Sequence, residues 1–282
     1  MAGTVRTYIP FMASAKPFVV VSDVHLGGVP PEVEREFRGF LRWVGDSASG
    51  LLINGDLFDV WLATRHFVVR HHVRVLAAIA DLVDAGLPVY FVGGNHDALE
   101  LGGAALREDL GVVVLDEPAR LTLGRWRALV VHGDGVESGA PVYPAYRKRH
   151  PVLRSRAFRW AAQRMAHVDR IYDRIAAWSD TKDFVARHRR GEGTGPQHAS
   201  APLERWARGA IAAERDVDVV IAGHSHRPAL VEVEPARWYV NSGDWVYHMS
   251  YALLPADRGT PTLGSWTSGQ RARSDVRAPA SP

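Results

Sequence analysis

The stretches Phe18-Val-Val-Val-Ser-Asp-Val-His25 and Leu51-Leu-Ile-Asn-Gly-Asp56 decide the fold of this 282-residue chain. Each begins with a short apolar run and ends in acidic, amide or imidazole side chains. Short apolar runs bounded in this way are typical of buried strands. Three further runs have the same form: Val89-Tyr-Phe-Val92, Ala128-Leu-Val-Val131 and Asp218-Val-Val-Ile221. We therefore predict five strands with polar side chains at their carboxyl ends.

Amphipathic helices are predicted between the first three strands. The segment from Pro31 to Val44 opens with prolines and acidic residues, and its apolar positions fall on one face of a helix. The segment from Val68 to Ala85 repeats this pattern. Alternation of strand and helix favours βαβ units, whereas the strand-like runs between Asp218 and Pro255 favour antiparallel or mixed pairing.

A basic, helical segment interrupts the strand pattern between Gly139 and Pro202. From Tyr143 to Arg190 it holds 13 Lys or Arg against 4 Asp or Glu, although the net charge of the chain is only +3. We interpret residues 140–202 as a cap, called the inserted segment, within a domain over residues 12–258. Its last part, from Arg187 to Pro202, is predicted as a loop. Residues 259–282 are predicted as a disordered tail.

Composition excludes several classes of protein. The chain has no cysteine, so disulfides and thiolate metal sites are excluded. No apolar run approaches the roughly 20 residues that span a bilayer. Because no secretory signal is visible, we expect a cytoplasmic protein. The basic inserted segment suggests binding to an anion, to nucleic acid or to lipid headgroups, with a solvated helix face as the structural alternative.

The strand ends carry hard metal ligands. Asp23 and His25 are spaced two apart, and so are His224 and His226, so each pair can share one face of an extended chain. Sites in open α/β sheets form at the carboxyl ends of strands. Oxygen and imidazole ligands suit a divalent pair such as manganese, iron or zinc. The candidate ligands are Asp23, His25, Asp56, Asn95, His132, His224 and His226.

This ordered set resembles the calcineurin-like metallophosphoesterase family, whose pattern is D-x-H, G-D, G-N-H-D/E, H and G-H-x-H. The resemblance implies a four-layer α/β/β/α sandwich with two mixed sheets and two divalent metal ions, for which we expect manganese, with iron or zinc as alternatives. It places the first metal on Asp23, His25, Asp56 and His226. It places the second on Asp56, Asn95, His132 and His224, with Asp56 bridging.

Two-metal chemistry gives the expected reaction. The cations clamp a phosphoryl group and lower the pKa of a shared water, which attacks phosphorus in line with the leaving oxygen. We predict that His96 protonates the leaving group or holds the phosphate, and that Asp97 orients its ring.

The subfamily that these motifs resemble is that of the UDP-2,3-diacylglucosamine pyrophosphatases of lipid A synthesis. The motifs are Gly55-Asp-Leu-Phe-Asp-Val-Trp61, His132-Gly-Asp134 and Gly223-His-Ser-His-Arg-Pro228. The resemblance implies a nucleotide-lipid substrate bound by Tyr143, Tyr146, Arg147 and Lys182. Lys182 falls in a loose counterpart, with Ser179 and Thr181, of the subfamily's substrate-binding run. The best-known members have an arginine at the position of His96.

Other functions stay open. A broad-specificity phosphodiesterase or phosphatase would use the same metals, and a nuclease would use the basic and aromatic residues of the inserted segment. A membrane enzyme would instead place that segment against anionic lipid. A metal-bound scaffold without turnover is a further alternative, of another class.

Overall fold

The structure is a computed structural model that describes residues 15–61, 63–64, 67–97, 99–136, 160, 172, 176–177, 181–189 and 200–267. Within these ranges, no helix combines the length and the apolar character that crossing a bilayer demands. The described residues form two mixed sheets and the helices that cover them.

The first sheet has six strands in the order β13-β12-β1-β2-β5-β6. Strands β1, β2, β5 and β6 are parallel to their neighbours, while β12 pairs antiparallel with β1 and with β13. Their bounds are β1 Phe18–Val21, β2 Gly50–Asn54, β5 Val89–Val92, β6 Val113–Leu115, β12 Ser250–Leu254 and β13 Thr262–Ser265.

The second sheet has five strands in the order β10-β11-β9-β8-β7, with a parallel centre of β8, β9 and β11 and antiparallel edges. A separate two-stranded ribbon follows β2. The bounds are β7 Ala119–Leu123, β8 Trp126–Val130, β9 Val219–Ala222, β10 Ala229–Glu234 and β11 Arg237–Asn241, with β3 Ala63–Thr64 and β4 Phe67–Val68 in the ribbon.

Three apolar clusters stack the chain into four layers. Alternate residues of β1 show why: Val19 and Val21 face the helices α1 (Pro31–Ser47) and α2 (Val73–Asp84), whereas Phe18 and Val20 face the second sheet. The far face of the second sheet packs on α5 (Ser200–Ala213). Because side chains alternate along a strand, each sheet buries both faces. The predicted four-layer sandwich with two mixed sheets is confirmed.

The five predicted strands are confirmed, and α1 buries the five apolar residues of the predicted helix face: Val33, Phe37, Phe40, Leu41 and Val44. The second helix begins later than predicted. Phe67–Val68 is a strand, a 3-10 turn covers Arg70–His72, and α2 starts at Val73. The β-branched Val68 and Val69 favour extended backbone, and Val69 is buried against Val60. A short helix, α3, covers Leu99–Ala104.

Two predictions about the inserted segment need correction. The helix α4 (Thr181–Arg189) extends into the predicted loop from Arg187 to Pro202. The helix α5 starts at Ser200, and Pro202 lies in its first turn, where a missing N–H is tolerated. The last three residues assigned to the inserted segment therefore belong to a helix of the sandwich. Residues 190–199 lie outside the described part of the chain.

The predicted tail is wrong in its first part. Strand β13 pairs antiparallel with β12 and buries Leu263, and Trp266 donates from Nε1 to Glu36 over 2.9 Å. The polar composition of the segment gave no indication of this short strand. The predicted strand from Val246 also begins late, at Ser250, because a turn around Asp244 precedes it. Residues 268–282 lie outside the described ranges, as does the predicted domain start at residue 12.

Candidate metal centre

The predicted ligands lie just beyond strands β1, β2, β5, β8 and β9. Backbone hydrogen bonds continue the β1–β2 pairing past the strand ends, since Asp23 N donates to Gly55 O over 3.0 Å and His25 N donates to Asp56 O over 3.0 Å. In the second sheet, Gly223 N donates to His132 O over 2.9 Å. The loops are therefore held side by side, and their side chains meet at one edge of the sandwich.

Five ligand residues adopt left-handed backbone conformations, with φ between +51° and +62°: Asp23, His25, Asp56, His224 and His226. Such angles are uncommon for residues other than glycine and cost of order 1–3 kcal/mol each. The turns bend each loop sharply after its strand. The rest of the fold therefore holds these side chains in place against local preference.

Three groups of ligand atoms lie close enough together to hold metal ions. In each group, one atom from every residue falls within 4.8 Å of the others. The groups are Asp23, His25 and His226; His25, Asp56 and His96; and Asp56, His132 and His224. Asp56 belongs to two of these groups, as does His25, and the bridging role of Asp56 stays a prediction. Nε2 of His226 lies 3.4 Å from Oδ1 of Asp23, and Nε2 of His25 lies 3.9 Å from Oδ2 of Asp56.

Burial and mutual charge perturb the groups strongly. Burial raises the pKa of Asp23 to about 7, although His132 opposes the rise. Burial also acts to raise the pKa of Asp56, but the nearby His132 and His96 outweigh it and hold that pKa well below the usual range. For His132 burial acts to lower the pKa, and Asp56 outweighs it, so the pKa is raised well above normal. Cations that bind here would displace protons shared between carboxylate and imidazole.

The ring of His132 is oriented for metal binding. Its Nδ1 lies 2.9 Å from the carbonyl oxygen of Asn54, so Nδ1 carries the proton and donates it there. Its Nε2 is buried without a hydrogen bond and lies 3.3 Å from Oδ2 of Asp56. Once its proton is displaced, this imidazole nitrogen forms with the carboxylate oxygen a ligand pair suited to a divalent cation. The donor set therefore fits a metal centre.

His96 lies at the rim of this cluster. Its side chain is 28% exposed, and its ring meets the ring of His25 edge to face with centroids 4.7 Å apart. Nδ1 of His96 donates to the carbonyl oxygen of Asp59 over 2.8 Å. The carboxylate of Asp97, which was expected to orient this ring, accepts the backbone N–H groups of Phe58 and Gly94. The hydrogen bond to the Asp59 carbonyl oxygen therefore orients the His96 ring. An effect of Asp97 on catalysis stays a prediction.

The other predicted site residues are exposed or lie outside the described residues. Asn95 precedes His96 in the loop and its side chain is exposed, so its role as a ligand stays a prediction. Lys182 lies exposed on α4. Tyr143, Tyr146, Arg147 and Ser179 lie outside the described residues.

Three further described residues make contacts at the centre that were not predicted from the sequence. Asp59 follows Asp56 by three positions, and its spacing at a strand end was a usable signal. Glu117 accepts the backbone N–H of His132 over 2.6 Å, and Thr181, which was named only in the run that resembles substrate-binding residues, donates to Asp59 over 2.5 Å. These two contacts join distant parts of the chain, so no local pattern predicted them.

Clustered imidazoles and carboxylates at the strand ends of a two-sheet sandwich define a metal-dependent hydrolase. Residues 16–228 match the family model described as calcineurin-like phosphoesterase, and the chain belongs to that family, which uses a dinuclear divalent metal centre.

Relatives and solved structures are similar over most of the chain. A UDP-2,3-diacylglucosamine hydrolase of Bordetella pertussis is 32% identical over 269 residues, covering 90% of this chain and 92% of that protein. One from Chromohalobacter salexigens is 29% identical, covering 90% and 99%. A crystal structure of a dimetal phosphatase from Danio rerio covers 90% of this chain and 99% of that one at 11% identity, with a TM-score of 0.39.

Proposed function

We propose that this enzyme hydrolyses the pyrophosphate bond of a UDP-2,3-diacylglucosamine-type nucleotide-lipid, releasing UMP and an acylated sugar phosphate. One observation carries the proposal: the metal-ligand groups around Asp56 occur in a chain that matches relatives of that name over 90% of its length. The match covers 90% of the chain, so it extends well beyond the metal motifs.

The chain's own residues would hold two divalent cations, proposed to be manganese, with iron or zinc as alternatives. When bound, the cations supply Lewis acidity and lower the pKa of a coordinated water. The group of Asp23, His25 and His226 would hold one, and the group of Asp56, His132 and His224 the other. Asn95 is proposed to complete the second set, and Asp56 to bridge the two.

His96 is proposed to serve the leaving group. Because its Nδ1 donates to Asp59, the ring presents Nε2 for contact with the substrate. A protonated imidazole there would donate to the departing phosphate oxygen or hold the phosphate. Its position at a rim, partly exposed, supports access to a bound substrate.

The inserted segment is proposed to meet the lipid part of the substrate. Its strong positive charge suits a diphosphate and an anionic membrane surface. Trp160 is 60% exposed and Lys182 is exposed, so both are available for contact. We include Tyr143, Tyr146, Arg147 and Lys182 among the proposed substrate contacts, and we propose a cytoplasmic enzyme peripheral to the inner membrane face.

The test uses metal-stripped protein reloaded with Mn²⁺ and offered UDP-2,3-diacylglucosamine in detergent, with mass spectrometry of the products. Release of UMP and the acylated sugar phosphate, absent in a His25→Ala control, is the expected result. Cleavage of a generic aryl phosphodiester without release of UMP would overturn the substrate and leave a broad-specificity phosphodiesterase. Lys182→Ala, compared on the two substrates, should raise the KM for the nucleotide-lipid alone.

A further inference from the structure

Among the described residues of the inserted segment, Thr181 makes a buried contact beside the metal centre. Thr181, the first residue of α4, is 6% exposed, and its hydroxyl donates to Oδ1 of Asp59 over 2.5 Å. Asp59 is itself 3% exposed and lies in the loop after β2. The contact joins residues 122 positions apart. The two-metal reaction does not itself use this hydroxyl.

The oxygen that accepts this hydrogen bond also faces the site. Oδ1 of Asp59 lies 3.7 Å from Nδ1 of His25 and 3.7 Å from Nδ1 of His96. The carbonyl oxygen of Asp59 accepts from the His96 ring, whereas its carboxylate lies beside the His25 ring beyond hydrogen-bond distance and acts on it through charge and packing. The carboxylate can hold the His25 ring in place only while its own rotamer is kept. Thr181 donates to the oxygen that faces the ring and so contributes to keeping that rotamer.

Gly28 leaves space for Thr181 beside Asp59. A Cβ placed on Gly28 would lie 2.7 Å from Cγ2 of Thr181 and 2.8 Å from Cγ of Asp59. Only a glycine leaves room for the two side chains to meet there. Tyr172 docks beside this point, buried with Val60 and Val69. Two separate residues of the inserted segment therefore pack on the loop that carries Asp59.

We propose that Thr181 is a positioning residue for the metal centre. Its hydroxyl holds the Asp59 carboxylate against the His25 ring, and so couples the docking of the inserted segment to the geometry of a metal ligand. Thr181 falls within the run that resembles substrate-binding residues, but its hydroxyl is turned inward to a carboxylate rather than outward to a ligand. The inference rests on the metal centre and not on the nucleotide-lipid substrate.

The first test compares Thr181→Val, which removes the donor at nearly constant shape, with Thr181→Ser, which keeps it. The probes are Mn²⁺ alone, titrated calorimetrically into metal-free protein, and hydrolysis of bis(4-nitrophenyl) phosphate. We expect Thr181→Val to weaken Mn²⁺ binding on the order of fivefold, less than the roughly 10- to 100-fold typical of direct partners of metal ligands. Thr181→Ser should restore it. Asp183→Asn, on the exposed side of the same helical turn, is the matched control and should match the wild type.

The second test asks whether the hydroxyl acts through Asp59. In a double-mutant cycle, Thr181→Val should have no further effect on Mn²⁺ affinity once Asp59→Ala, which removes the accepting oxygen, is present. Gly28→Ala, which alters neither polar group, should weaken Mn²⁺ binding in the same direction and serves if Thr181→Val does not fold. Wild-type Mn²⁺ affinity in Thr181→Val or Gly28→Ala, whatever the melting temperature, would overturn the proposal, as would additive effects in the cycle. Neither test depends on the nucleotide-lipid being a substrate.

Discussion

The ring of His132 donates a hydrogen bond from Nδ1 to the carbonyl oxygen of Asn54 over 2.9 Å. This bond joins the loop after β8 in one sheet to the end of β2 in the other. It sets the tautomer of the imidazole and leaves Nε2 directed at Asp56. The close approach of the two sheets at this point is possible because the residue after Asn54 is a glycine.

Gly55→Ala should be severely destabilising. A Cβ at this position would lie 2.1 Å from Nδ1 of His132, and the backbone has φ +84°. Overpacking and a left-handed alanine together should lower the free energy of unfolding by roughly 2–4 kcal/mol. Chemical denaturation of metal-free protein measures this directly.

Substitutions at two other glycines separate the backbone cost from the steric cost. Gly86 has φ +80° but no atom within 4 Å of an added Cβ, so Gly86→Ala should show only the backbone cost, about 1 kcal/mol. Gly209 lies in α5 with open space beside it, so Gly209→Ala should stabilise by about 0.5–1 kcal/mol. Equal losses for Gly55→Ala and Gly86→Ala would contradict a steric role of His132.

Asp97→Asn should affect stability more than turnover. The carboxylate is fully buried and accepts N–H groups of Phe58 and Gly94, at 3.3 and 3.2 Å. An amide supplies only one acceptor, so one N–H loses its partner at a cost of about 1–3 kcal/mol. We expect kcat to fall less than about tenfold in folded protein. A roughly 100-fold drop in kcat at unchanged stability would instead support the predicted role of Asp97 on His96. The control is Asp81→Asn, at an exposed position of α2.

The effect of His96→Ala on hydrolysis should depend on whether the leaving group needs a proton. With a poor leaving group, such as the alkoxide released from a dialkyl phosphate, loss of a general acid should lower kcat by about 10²-fold or more. A 4-nitrophenolate leaves without protonation, so the same substitution should cost far less with the aryl diester. The Mn²⁺ content should stay unchanged. Equal losses on both substrates would show that His96 acts through phosphate binding or the metal instead.

His248 should make a pH-dependent contribution to stability. Its Nδ1 lies 2.5 Å from Oδ2 of Asp244, and this hydrogen bond raises the pKa of His248. A group with a raised pKa in the folded state stabilises fully below its unfolded pKa, about 6.5, and loses that contribution as pH rises through the folded value. We therefore expect wild type to exceed His248→Asn in free energy of unfolding near pH ~6 and the difference to be smaller near pH ~9. Denaturation in EDTA at both pH values checks it, and a constant difference would refute the linkage.

Local pattern was sufficient for the strands and for most ligands. The apolar runs that end in Asp23, Asp56, His132 and His224 mark both the end of a strand and the polar residues beyond it, so fold and site could be predicted from the same residues. The family resemblance then supplied the layering of two sheets, which no single stretch encodes.

The features that could not be predicted depend on partners far apart in the chain. Leu263 is buried because β12 lies beside it, and the surrounding polar sequence gives no sign of this. Thr181 belongs to a basic, polar segment, and only the fold brings it to Asp59. The carboxylate of Asp97 accepts the N–H groups of Phe58 and Gly94, and the contact with Phe58 could not be predicted from its sequence neighbours.

The left-handed backbone at five predicted metal ligands sets catalysis and durability against each other. At such angles glycine is less strained than aspartate or histidine. Replacing these residues by glycine would therefore relax the backbone at this edge of the sandwich and at the same time remove the side chains that are predicted to bind metal. The strain is a cost in stability that the proposed chemistry explains and that folding alone does not.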